Sequence, residues 1–159
     1  MTTTKADFAE DEWRLLIGAP GVGAVLIVGA DFHMFGVPGE FKAMAESAGS
    51  IESAGAARDL VAEMVADMQE MDADENDDSP DTDDENWSVE LLRLLTGAAD
   101  IIDRVCTAEE ALGYKRWVLN VANAVAEAST EGRFLGIGGE RVSDKEKTAL
   151  AKIEGALGL

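Results

Sequence analysis

Large apolar side chains in this chain recur every three or four residues, and no stretch of useful length alternates apolar with polar at period two. The first spacing marks a helix with one buried face, the second a half-buried strand. From about Ala57 to Met71, for example, Leu60/Val61, Met64/Val65, Met68 and Met71 fall on one helical face. No Asn-Gly or Asp-Gly pair signals a hairpin. Three prolines among 159 residues and abundant alanine also favour helix. The expected fold is all-α, a single-domain bundle of six or seven helices spanning 1–159.

Local signals divide the chain. Asp7 followed by Glu10 reads as a helix cap with its first-turn acid, and Trp13, Leu16 and Ile17 form the apolar face. Pro20 suits the first turn of a second helix, which runs to about Asp31 and is apolar nearly all round, as a buried central helix would be. Pro38 and Glu40 open a third, with Gly49 as its stop. The fourth spans Ala57–Met71, and a fifth begins near Trp87 and carries Leu91, Leu92, Leu94, Leu95, Ile101, Ile102 and Val105. Thr107 with Glu110, and Ser143 with Glu146, have the spacing of capping boxes for the last two helices. The first of these carries Leu112, Trp117, Val118, Val121 and Val125, the second Leu150, Ile153 and Leu157. Val25, Leu26, Val28, Leu95, Ile102, Val121 and Val125 are expected to share one core.

Charge narrows the function classes. The net charge is −19, and nine acids with no Lys or Arg lie between Asp72 and Glu85. Residues 72–86 are expected to be a disordered acidic insertion, because they carry almost nothing to bury. Without the nine acids the remainder still stands at −19 + 9 = −10. Such a surface repels nucleic-acid phosphates and anionic lipid, so neither is an expected partner. A high-salt habitat would account for the acidity with no function attached. The longest apolar stretch, Val22 to Ala30, is about half a bilayer span, and the first residues lack an apolar signal core. A cytoplasmic location is expected.

Two stretches share one plan. A buried helix ending in Ala30-Asp31 is followed by a Gly-containing loop and by Pro38-Gly-Glu40 opening an amphipathic helix. A second, ending in Ala126-Glu127, leads through a longer Gly-rich loop to Ser143-Asp-Lys-Glu146. Helix-pair duplications of this kind pack about a pseudo-two-fold axis. Over roughly 20–48 and 115–157 the plan resembles the tellurite-resistance TerB-like helical domains, which are built from two helix–acidic loop–helix units. The resemblance implies a stress-response or scaffolding role and divalent metal, Mg²⁺ or Ca²⁺, held by acids near the loops. The positions matching that pattern are Asp31, Glu40, Glu127, Glu131, Asp144 and Glu146. A hard cation needs several converging oxygens, which acids at helix ends can supply. The competing reading is structural: Glu40 and Glu146 stand in first turns, where any acid is favoured by the helix dipole, and Glu146 completes a capping box.

Other candidates have plainer explanations. The only cysteine, Cys106, and the only histidine, His33, lie far apart in sequence, and a small buried hydrophobe is the commoner role for the first. The run Gly132–Gly139 lacks the Gly-Lys-Ser/Thr ending of a phosphate loop and any preceding strand. Met64, Met68 and Met71 read first as core packing. With no convergent polar constellation, the chain is not expected to be an enzyme. The alternative to the metal-associated domain is an acidic protein–protein interaction module.

Overall fold

The computed structural model describes residues 2–30, 51–70, 86–131 and 142–159, leaving aside the side chains of 30 and 128–131. These residues form five α-helices: α1 (Glu10–Ala30), α2 (Arg58–Glu70), α3 (Trp87–Val105), α4 (Ala108–Glu131) and α5 (Asp144–Leu157). Two 3-10 segments, Lys5–Asp7 and Ile51–Ala57, complete the set, and no strand occurs among the described residues. The fold is all-α, as the periodicity requires. The helix expected to open at Pro38 lies outside the described residues, as does the 72–86 insertion apart from Asn86, which precedes α3.

The expectation of six or seven helices is corrected to five counted among the described residues, and one reason is Pro20. The two helices expected on either side of it are a single helix, α1. Proline has no N–H for the carbonyl four residues back and crowds that carbonyl, which ordinarily ends or kinks a helix. Here that carbonyl belongs to Leu16, and the Tyr114 hydroxyl of α4 donates to it at 2.8 Å. The helix passes through its proline because another helix supplies the missing donor.

α1 packs against all four other helices, most extensively α4 and α3. Leu16, Ile27, Leu60, Met64, Leu95, Ile102, Val118, Ile153 and Leu157 are among the fully buried side chains of one continuous core. Of the seven expected core positions, Leu26, Leu95, Ile102, Val121 and Val125 are buried, while Val25 and Val28 are half-buried against its edge. α1 is therefore not enclosed all round: Gly18 and Gly21 are exposed. Leu94 and Leu112, assigned to apolar faces, stand 43% and 39% exposed.

Continuity through Pro20 also lengthens the apolar segment. By length and composition alone, 10–29 suffices to cross a membrane, with a mean hydropathy of 1.4. In this fold half of that span is buried inside the bundle, as a core helix would be.

Local chemistry sets the helix ends. Asp7 caps not α1 but the short turn before it, accepting from the Thr4 amide at 2.9 Å and the Thr4 hydroxyl at 3.1 Å. α5 stops at Gly158, whose φ of 71° lies in the left-handed region. The Leu159 amide donates to the Glu154 carbonyl and the Gly158 amide to the Gly155 carbonyl, which satisfies the last turn. In Ile51–Ala57 the chain turns at Gly55, with φ 53° and ψ −118°, a conformation a side chain would strain. That segment lies tight against α4, where a Cβ on Gly113 would overlap the Ala54 carbonyl oxygen.

Candidate functional site

The six carboxylates proposed as metal ligands are placed unequally. Asp31 and Glu40 lie outside the described residues, and Glu131 ends α4 with its side chain outside them. Glu127, in the last turns of α4, and Asp144, at the start of α5, are both exposed. Glu146 is 1% exposed and completes the capping box: its carboxylate accepts from the Ser143 amide at 2.8 Å, and its own amide donates to the Ser143 hydroxyl at 3.2 Å. Among the described residues no three Asp, Glu, His or Cys side chains gather in a metal-holding group.

A dense polar cluster lies at the α3–α4 junction. Glu110, in the first turn of α4, accepts from the Thr107 amide and hydroxyl, each at 3.0 Å, as the capping-box spacing predicts. It also accepts from the Thr3 amide at 3.0 Å and the Thr3 hydroxyl at 2.9 Å. Burial opposes its charge, but these four bonds outweigh it and hold the carboxyl below the usual glutamate value. Nothing in the local pattern around Thr3 announces this contact.

Cys106 sits beside this cluster and is half-buried. Burial first, then the charges of Glu110, Asp7 and Asp103, push its thiol up to about 11, against a lowering hydrogen bond with Thr3. A thiol with that value is protonated at neutral pH and a poor nucleophile. His33 and the Gly132–Gly139 loop lie outside the described residues. Met64 is fully buried and Met68 packs against the core, which fits their reading as core residues.

Other polar contacts tie elements together. Lys115 of α4 is 7% exposed and binds Asp103 of α3 at 2.6 Å. Arg104 of α3 pairs with Glu12 of α1. Asp67 of α2 accepts from the Trp13 indole at 2.7 Å and from Lys5 at 2.6 Å, while Glu63 accepts from the Lys5 amide at 2.8 Å. The hydrogen bonds from Lys5 and then Trp13 hold Asp67 below its usual pKa. Each arrangement clasps the N-terminal segment or neighbouring helices, and none aims a proton donor, nucleophile or electrophile into a cleft. Searches against family models, curated proteins and solved structures returned no match.

Proposed function

We propose that this chain is a non-catalytic helical interaction module of the cytoplasm whose acidic surface engages a basic protein partner, with neither nucleic acid nor membrane as its target. One observation carries the reading. The buried polar residues Thr3, Glu110, Lys115 and Glu146 are all engaged in holding the fold, whereas Asp59, Glu70, Asp100, Glu109 and Glu154 stand exposed on its outside. Acids in that position cost the fold self-repulsion and gain energy only when cations approach. The test is affinity capture at low and high salt, followed by binding of the identified partner as a purified protein. A saturable complex that weakens with salt and with D59K/E70K supports the module. If no purified partner binds saturably, the reading fails.

A second reading keeps the TerB-like pseudo-two-fold repeat and its metal. It draws on the exposure of Glu127 and Asp144 at the two ends of one connection, with Asp31, Glu40 and Glu131 expected to add ligands. Binding to the native state alone raises the melting temperature. Millimolar Mg²⁺ or Ca²⁺ should then raise it beyond a matched ionic-strength control, and D31N/E127Q should abolish the rise. An unchanged wild-type melt ends this reading.

A further inference from the structure

Where α1, α3 and α5 meet, a groove of about 170 Å³ opens between the start of α3 and the first three turns of α5. Leu26 of α1, with Trp87 and Leu92 of α3, supplies its larger apolar side chains, and Lys145, Thr148 and Lys152 of α5 line it too. Among the described residues eight line it and none is acidic, although the chain holds 32 acids against 13 lysines and arginines. Neither Lys145 nor Lys152 makes an ion pair among the described residues. Of the first-turn acids of these two helices, Glu90 is paired with Arg93 at 2.8 Å and Asp144 with Lys147 at 3.9 Å, while Glu146 is buried in its capping box with Ser143.

The start of α3 adds to the same sign. Trp87 and Ser88 belong to its first turn, so the positive end of a 19-residue helix dipole faces this region alongside the two lysines.

We propose that this groove docks an acidic protein segment carrying one apolar anchor side chain between two carboxylates. Size argues for one side chain rather than a small-molecule ligand, since enclosed sites of that kind start at about 300 Å³. Spacing sets the carboxylates. Lys145 and Lys152 are seven positions apart on α5, roughly 10 Å along its axis. Three residues of extended chain also span about 10 Å. Extended side chains alternate faces, so the Gly is there to let the chain turn its second Glu back to the side of the first. A Glu-Phe-Gly-Glu segment then brings one carboxylate within reach of each ammonium, with its phenyl group beside Trp87 and Leu92. This docking site is separate from the acidic surface, so either proposal can fail alone.

The test uses the full chain and an acetylated, amidated Glu-Phe-Gly-Glu peptide, read by the Trp87 indole N–H resonance in NMR titration. Saturable movement of that resonance is expected, with binding weakened ~10-fold or more by K145E/K152E and by replacing the peptide's Phe with Ser. Circular dichroism melts of K145E/K152E confirm that the variant is folded, and K145R/K152R should retain binding. No movement up to ~5 mM peptide overturns the proposal. Equal binding of a Lys-Phe-Gly-Lys peptide, or no loss in K145E/K152E, also overturns it. So does octanoate moving the resonance where the peptide does not, which would mark a site for small anionic amphiphiles.

Discussion

The hydroxyl of Tyr114 lies 2.8 Å from the carbonyl oxygen of Leu16, the one acceptor in α1 that Pro20 leaves without its helical donor. Tyr114 is fully buried, and burial pushes its ionisation above the usual phenol range, so the hydroxyl stays a donor throughout the working pH range. The contact joins α1 to the helix it packs against most extensively, at the point where α1 would otherwise break.

Y114F removes that donor and leaves a buried carbonyl unsatisfied, at a cost of ~1–3 kcal/mol. In a P20A background the new backbone amide at position 20 restores the helical bond, and the same change should cost less. A double-mutant cycle by urea unfolding should give a coupling of ~1 kcal/mol between the two positions. A coupling near zero would mean that α1 tolerates Pro20 without Tyr114.

Glycine positions in the helices separate packing from propensity. Gly21 is exposed with open space around it, so G21A should stabilise by up to ~1 kcal/mol through helix propensity. At Gly113 the new methyl would meet the Ala54 carbonyl and crowd the Ala57 amide, 3.1 Å away. Backbone cannot yield as a side-chain tip can. G113A should therefore destabilise by ~1–3 kcal/mol despite its better propensity, and thermal melts of the pair should move in opposite directions.

What could be read from the sequence was local. The pairs Thr107/Glu110 and Ser143/Glu146 announce two helix starts because a capping box closes within three residues. The burial of Leu60, Met64, Leu95 and Ile102 follows from spacing within single helices. Pro20 looked like a helix start because its remedy, Tyr114, is remote: the acceptor Leu16 is 98 residues from it. A proline inside an unbroken apolar run, in a chain with a single tyrosine, was the available signal. The Thr3–Glu110 bonds span 107 residues and left no local trace at all. In the candidate metal set Glu40 and Glu146 could be weighed from sequence as first-turn acids, and the role of Glu146 was the more legible because its capping box closes within three residues.

Cys106 should be slow towards thiol reagents. With its thiol pushed up to about 11, a disulfide-exchange reagent near neutral pH finds little thiolate. The rate should keep climbing with pH well beyond about 8.5, where an ordinary cysteine is already half ionised. Unfolding in urea should accelerate the reaction at fixed pH. Fast labelling of the native protein at neutral pH would mean that the thiol is not shielded as the structure places it.

Glu110 links the fold to pH. Its folded carboxyl lies below the ordinary 4.5 because the Thr3 and Thr107 bonds favour the charged form more than burial opposes it. A depressed carboxylate contributes stability that is fully present above the unfolded value and lost as pH falls through the folded one. From pH 7 to 5 the contribution should be constant, and it should fade below 4.5. E110Q keeps the shape but loses charge-assisted acceptance, and should destabilise by ~1–3 kcal/mol at pH 7. The gap between E110Q and wild type should narrow as the wild-type carboxyl protonates. T3V should reproduce part of the loss, because it removes the hydroxyl and keeps the amide bond. Urea melts at pH 7, 5 and 3.5 decide the point. A gap that is the same at all three would show that Glu110 acts through packing rather than through its charge.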